Sequence, residues 1–431
     1  MILAQRCHTS PGLARERAQY YAPPMRPRLP PDLTDPYSVA LHGGEPAQHP
    51  GNGVPPPLVM SATYTFANTA ELEAHLDGEI SREEYGRYGN PTVSVAERKL
   101  AALEGAEDAA LFGSGMAALT TALFAMLRAG QHLILTGEGY RRTRQFALGT
   151  LARFGVEVSV VPPANIDAVI SAIRPNTRVV VTESPTNPNL RVIDLEKLAG
   201  ALRSHPSVRL LVDATFATPI NQRPLAQGAD LVLHSATKYL SGHNDVLAGA
   251  VLGAVDLVDP IRALRGVLGG ILDPHAAWLL CRGLKTLPLR VERQNATALA
   301  VATALEQHPR VRRVHYPGLA SHPDHAVATR LMRGFGAVVT FEVDASDTEV
   351  SAFVDACRVP LLAPSLGGVE SLIEQPAVMS YHELSPDERR AAGIAEGLVR
   401  LSVGLEPPEV LIRDLAQALE AMGPRSLGQA E

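Results

Sequence analysis

Three scarcities exclude whole classes of protein. Only three of the 431 residues are cysteine, Cys7, Cys281 and Cys357. They are widely spaced with no CxxC pair, which rules out a disulfide framework and a cysteine-ligated zinc site. No metal site is expected, and a reducing cytoplasm is the natural setting. Aromatic residues make up 5% of the chain, and none interleave with a basic run. With a formal charge of -6 and a pI near 6.2 the chain lacks the positive footprint of a nucleic-acid binder. No apolar run reaches the roughly 18 to 20 residues of a bilayer span, and the N-terminus MILAQRCHTSPG has no apolar core of a secretory signal. Neither nucleic acid nor membrane is therefore an expected partner.

Proline and glycine are plentiful at the start. From PRLPPDLTDPY through GNGVPPPL no helical or strand period is visible, so residues 1–62 read as an extended arm that packs on something else, flexible over its first 35 or so residues. Asp32, Asp35 and the proline density favour an arm over an organellar transit segment. Afterwards short apolar bursts alternate with helical patterns: DAALFG, HLILTG, VEVSVV, TRVVVTE, VRLLVDA and ADLVLH. Such runs separated by helices predict an α/β unit with a mostly parallel sheet covered on both faces, placed here at 63–288. The long helical pattern in CRGLKTLPLRVERQNATALAVATALEQHP leads into VRRVHYPG, AVVTFEV, SAFVDAC and LVRLSVG, which read as a smaller α+β unit over 289–431.

One lysine stands out. In HSATKYLSGHNDVLAG, Lys238 follows an apolar strand and is surrounded by small, hydroxylated and apolar residues. The three strands TRVVVTE, VRLLVDA and ADLVLH end at Glu183, Asp213 and His234, and parallel strands joined by right-handed crossovers put such ends along one edge, where ligands bind. A partly desolvated amine has a lowered pKa and becomes a nucleophile toward an aldehyde. Pyridoxal phosphate uses such a lysine, and an acid that keeps its ring nitrogen protonated. FGSGMAAL at 112–119 offers a glycine-rich turn opening a helix, suited to a phosphate, and Ser235 and Thr237 add hydroxyls. The same turn fits G-x-G-x-x-A through Gly113, Gly115 and Ala118, with Glu138 ending the next strand, so a NAD(P)-binding oxidoreductase is the rival. That rival has no use for Asp213 and Lys238 together, and its turn comes after about 110 residues instead of opening a nucleotide unit.

EYGRYGNPT, SGMAA, ESPTNP, VDATFATP, the lysine stretch, RGLKTL, SLGGVESL and VRLSVGLE occur in the order in which they occur in the Cys/Met-metabolism family of pyridoxal-phosphate enzymes, which the chain resembles from about residue 60 onward. Within that family GYRRTRQF, ESPTNPNLR and APSLGGVESLIEQPAVMSY are most similar to the plant-type cystathionine γ-synthase branch. The resemblance implies an aspartate-aminotransferase-like fold (fold type I), with arm, large cofactor domain and small C-terminal domain, and a homotetramer built as a dimer of dimers. It implies that Lys238 bonds to the cofactor aldehyde and moves protons, that Asp213 pairs with the ring nitrogen, and that Gly115, Met116, Ser235 and Thr237 bind the phosphate. Tyr85 and Arg87 would reach that phosphate from the neighbouring subunit. Tyr140 would stack on the ring and serve as acid or base, Asn187 would touch the ring oxygen, and Arg400 with Ser365 would hold the substrate carboxylate. Glu183 would support its neighbours, His234 would be a packed histidine, and His243 and Asp245 would brace the lysine loop.

The implied activity is γ-replacement on a phosphoryl, succinyl or acetyl ester of homoserine, with cysteine as nucleophile and cystathionine as product. The alternatives are a γ- or β-lyase acting on cystathionine or methionine, or γ-substitution with another nucleophile. Three departures bear on specificity. Ala214 stands where many relatives have Asn, and Pro364 stands where many have Glu. Arg141 and Arg142 replace two glycines, and Arg142, with Arg141 as the second candidate, is expected to meet the anionic end of the substrate.

Overall fold

The computed structural model describes residues 28–30 and 32–422. Most of the segment expected to be flexible, and Cys7 with it, lies outside the described residues. Seven strands form the larger sheet: β1 (Asp108–Phe112), β2 (His132–Thr136), β3 (Glu157–Val161), β4 (Thr177–Glu183), β5 (Arg209–Asp213), β6 (Leu231–His234) and β7 (Gly249–Gly253). Their order is β1-β7-β6-β5-β4-β2-β3. The five strands from β6 to β3 are mutually parallel. β7 runs antiparallel to β6, and β1 antiparallel to β7.

That corrects the sequence reading in one respect. DAALFG was expected in the parallel set, and GAVLG was not read as a strand. The chain leaves β6 at His234, loops through the lysine motif and returns directly as β7, and a direct return can only pair antiparallel. Every residue of β7 is buried, so it carries no alternation to announce it. Gly249 is required there, because a Cβ on it would fall 2.2 Å from the Ser114 carbonyl oxygen.

The smaller sheet contains β8 (Val311–His315), β9 (Val338–Val343), β10 (Leu361–Leu362), β11 (Leu372–Glu374) and β12 (Leu398–Ser402), in the order β10-β11-β12-β9-β8. The helical stretch ahead of it is two helices, α1 (Pro274–Leu284) and α2 (Leu287–Glu306). They break at Lys285 and Thr286 because Pro288 fits only in a first helical turn. One buried apolar cluster joins Leu100, Leu111 and Leu252 near the first sheet to Val291 on α2 and to Phe341, Val399 and Leu415 around the second. The two sheets therefore share a core, and the lysine loop lies where they meet.

Candidate active site

The parallel register puts Glu183 beside Asp213 and Asp213 beside Leu233, so the polar strand ends do share one edge. The Asp213 carboxylate is clamped locally: its Oδ1 accepts from Thr215 N (3.0 Å) and Thr215 Oγ1 (2.6 Å). Thr215 Oγ1 in turn accepts from Ser235 N at 2.8 Å, which ties Asp213 to the start of the lysine loop. Burial pushes the Asp213 pKa up, against the Thr215 bonds. Glu183 is raised well above the ordinary range, first by burial and then by Asp213. Its Oε2 accepts from Tyr140 N at 2.8 Å, which presents the half-exposed Tyr140 at the cleft mouth. Two neighbouring buried carboxyls make a site that welcomes a positive group.

Lys238 is half-buried, and its Nζ donates to Ser365 Oγ at 2.6 Å. Burial and then Arg400 bring its pKa down to about 8, against the pull of Glu374. Ser365 holds φ = +90°, a conformation that a residue with a Cβ adopts only where the surroundings enforce it. In that conformation the Ser365 hydroxyl meets Lys238 while its carbonyl accepts from Arg400 Nη2 at 3.1 Å. Arg400 Nη1 donates to Asn187 Oδ1 at 3.0 Å, and Nη2 lies 2.8 Å from Glu374 Oε1. Glu374 and Arg400 are register partners on β11 and β12.

The glycine turn lies against the lysine loop. A Cβ on Gly115 would come within 3.0 Å of the Ser235 Cβ, so only glycine lets the helix Gly115–Met126 start so close to the Ser235 side chain. Ser114 caps that helix, accepting from Ala117 N at 3.1 Å. Met116 stands on its first turn. Thr237 Oγ1 is held by Ala248, donating to its carbonyl (3.1 Å) and accepting from its amide (2.9 Å). Glu138 does not face a ribose site: its Oε1 accepts from Thr186 Oγ1 (2.6 Å) and Asn189 N (2.9 Å), bracing the loop after β4. These observations fit pyridoxal phosphate: an amine poised to lose its proton, a desolvated carboxylate for a ring cation, and a glycine cradle beside a serine hydroxyl.

The remaining candidates lie further out. Tyr85 and Arg87 line a separate cleft with Met60, Ile271 and Asp273, the Arg87 guanidinium 4.8 Å from the Tyr85 ring centre. Within one chain they do not join the Lys238 site. Arg142 is exposed and donates to Gln145 at 2.6 Å. The arginines that line the cleft beside Asp213 and Glu183 are instead Arg141 and Arg144, Arg141 paired with Glu383 at 2.9 Å. His234 pairs with Glu104 at 2.9 Å, both buried. His243 is exposed and its Nδ1 lies 2.8 Å from the Ser241 carbonyl, while Asp245 is exposed.

Sequence reasoning missed Thr215 and Glu374. An acid ending a strand with a hydroxyl two residues later, as in Asp-Ala-Thr, is a turn signature that could have found Thr215. Nothing in Leu-Ile-Glu marks Glu374.

Comparison with known proteins supplies the context. The family model described as "Cys/Met metabolism PLP-dependent enzyme" matches residues 37–420. The chain is 48% identical to cystathionine gamma-synthase 1, chloroplastic, of Nicotiana tabacum, over 89% of this chain and 72% of that protein. It is 42% identical to an L-methionine gamma-lyase of Fusobacterium nucleatum subsp. polymorphum, over 84% of this chain and 93% of that protein. Among solved structures, that of metB from Corynebacterium glutamicum superposes with a TM-score of 0.86 at 34% identity, covering 92% of this chain and 100% of that one. The match confirms the expected fold type I architecture. The chain belongs to the Cys/Met metabolism family of pyridoxal-phosphate-dependent enzymes.

Proposed function

We propose that the enzyme catalyses γ-replacement on an O-activated homoserine, exchanging the γ C–O bond for a C–S bond to cysteine and releasing cystathionine and the free acid. The observation that carries this reading is the junction of Lys238, Ser365 and Arg400, which puts a proton-shuttling amine beside a carboxylate clamp. The similarity to the tobacco cystathionine gamma-synthase supports this choice of reaction. When bound, pyridoxal phosphate supplies an aldehyde for amino groups and a cationic ring that withdraws electrons from the substrate carbons. Lys238 Nζ, half-buried and donating to Ser365 Oγ, is the amine that would hold the cofactor through its aldehyde, and as a base it would accept the α-proton and carry protons between the substrate carbons. Asp213, oriented by Thr215, would pair with the ring nitrogen and keep it protonated. The Gly115 and Met116 amides and the Ser235 and Thr237 hydroxyls would hold the phosphate. Asn187 would contact the ring oxygen, and Tyr140 would stack on the ring and serve as acid or base near the substrate. Arg400 and Ser365 hold the α-carboxylate, a task suited to a planar fork of donors.

Tyr85 and Arg87 complete the phosphate site of a neighbouring subunit in a homotetramer assembled as a dimer of dimers. Their place in a cleft whose lining does not include Lys238, and the exposure of Tyr85, support that assignment. No helix among the described residues is long and apolar enough to cross a membrane. Cys281 and Cys357 are free thiols, which supports our placing the enzyme in a reducing cytoplasm. The basic residue for the ester's anionic end becomes Arg141, since it lines the cleft and Arg142 does not.

A product assay decides the reaction. The cofactor-loaded protein is given the phosphoryl, succinyl and acetyl esters of homoserine, with and without cysteine, and products are identified by mass spectrometry. Cystathionine formation supports the proposal. If 2-oxobutanoate and ammonia are the products whether or not cysteine is present, the chain is a lyase like its Fusobacterium relative. For the anionic end, Arg141→Ala should lower kcat/KM for the charged esters more than for acetylhomoserine, while Arg142→Ala leaves the ratio unchanged.

A further inference from the structure

The carboxylate clamp already holds an anion. Glu374 and Arg400 face each other across β11 and β12, 2% and 6% exposed, with Oε1 2.8 Å from Nη2. The other polar neighbours of Arg400 are the neutral oxygens of Asn187 and Ser365, and its buried Nε has no partner among the described residues. The charged groups acting on Glu374 are Arg400, from β12, and Lys238, from the loop after β6. Burial outweighs both cations and holds the Glu374 carboxyl above the ordinary glutamate range.

A substrate carboxylate docking on Arg400 brings a second anion to one desolvated cation. Two carboxylates in such a site cannot both stay ionised without a large cost, and the pair relaxes by binding one proton. We propose that Glu374 is the counter-ion of the empty clamp and takes up one proton from solvent when a substrate carboxylate binds, so that binding and protonation are one event. An O–H bond forms at Glu374 and no bond of the substrate changes. The neutral acid keeps the pocket's charge unchanged and turns from a competitor for Arg400 into a donor beside it. This inference rests on the reading of Arg400 as the carboxylate clamp.

The test uses the cofactor-loaded full chain and butanoate, a carboxylate without an amine to react. Calorimetric titration in buffers of different protonation enthalpy counts the protons taken up, and the share held at the Lys238 nitrogen is read separately from the cofactor absorption band. The wild type should take up close to one proton beyond that share on the alkaline side, with Kd weakening by up to about tenfold per pH unit. In Glu374→Gln the extra uptake should vanish and Kd should follow pH only to the extent of the share at the Lys238 nitrogen. Wild-type binding without extra uptake, or uptake that survives in Glu374→Gln, overturns the proposal. Should Glu374→Gln not fold, Glu374→Asp must shift the pH midpoint of uptake, and an unmoved midpoint overturns it equally. Butanoate binding that is indifferent to Arg400→Ala would refute the clamp itself, whereas binding that needs Arg400 yet moves no proton refutes only the role of Glu374.

Discussion

Two walls enclose Lys238, and they are held together differently. One is the edge of the seven-stranded sheet, where Glu183 and Asp213 are register neighbours and Asp213 is fixed by Thr215, two residues along the chain. The other is Ser365, Glu374 and Arg400, held by a strained backbone turn and by bonds such as Arg400 to Asn187, 213 positions apart. In the proposed reading the first wall serves the cofactor, and it rests on parallel strand ends that the fold cannot move independently. In the same reading the second serves the substrate, and it joins antiparallel strands to a loop, a mobile kind of element. Electron withdrawal is thereby anchored in the sheet, and selection of the substrate is left to the more adjustable side.

Substitutions can break each wall separately. The largest effect is expected from Lys238→Ala, which removes the group that joins them: turnover should fall on the order of 10⁴-fold or more, and mass spectrometry after borohydride reduction should find no cofactor attached to the chain. Arg400→Ala strikes the substrate wall and leaves Glu374 buried without its cation. Losing one partner of such a pair costs about 2–5 kcal/mol, so kcat/KM should fall roughly 30-fold to several thousandfold, mostly through KM, with the cofactor spectrum retained. Asp213→Asn strikes the cofactor wall while keeping its shape. A loss on the order of 10²-fold in kcat is expected, together with weaker cofactor retention in dialysis and little change in KM. If both substitutions moved the same parameter, the division into two walls would be wrong.

A pH profile sharpens the boundary between the walls, since Lys238 feels both. Burial and Arg400 disfavour its charged form and bring its pKa down to about 8. Covalent capture of the aldehyde by the cofactor-free protein should therefore speed up by about tenfold per pH unit below that value and level off above it. A lysine with an ordinary pKa near 10.4 would keep accelerating. Glu374 favours the protonated amine, so Glu374→Gln should move the break to lower pH. Stopped-flow absorbance reads both curves.

The contrast also explains what the sequence could disclose. Lys238, Asp213 and the glycine turn were legible because strand ends, a short polar loop and a helix start are local patterns, and the parallel-edge rule brings them together without coordinates. β7 was not, since five buried residues without alternation carry no period. Glu374 was hidden for a different reason: an acid after two apolar residues looks the same whether its strand faces solvent or a buried arginine, and only the β11–β12 register distinguishes them. Arg142 was preferred over Arg141 on the same kind of missing information, because one residue along a helix turns a side chain by about 100°, enough to move it from cleft to solvent.

Ser365 offers the smallest test, and it separates strain from chemistry. Its hydroxyl steadies Lys238 and its φ of +90° is costly for any residue with a Cβ. Ser365→Ala removes the hydroxyl and keeps the strained backbone, whereas Ser365→Gly removes the hydroxyl and relieves the strain. If the turn is held by its surroundings, the glycine variant should be more stable than the alanine variant by about 1 kcal/mol, read from denaturant midpoints, while the two share the same few-fold loss of turnover. If glycine instead lowers turnover well below alanine, the strain itself holds the Ser365 carbonyl against Arg400, and the substrate wall owes its geometry to a backbone kept under tension by the residue's own side chain.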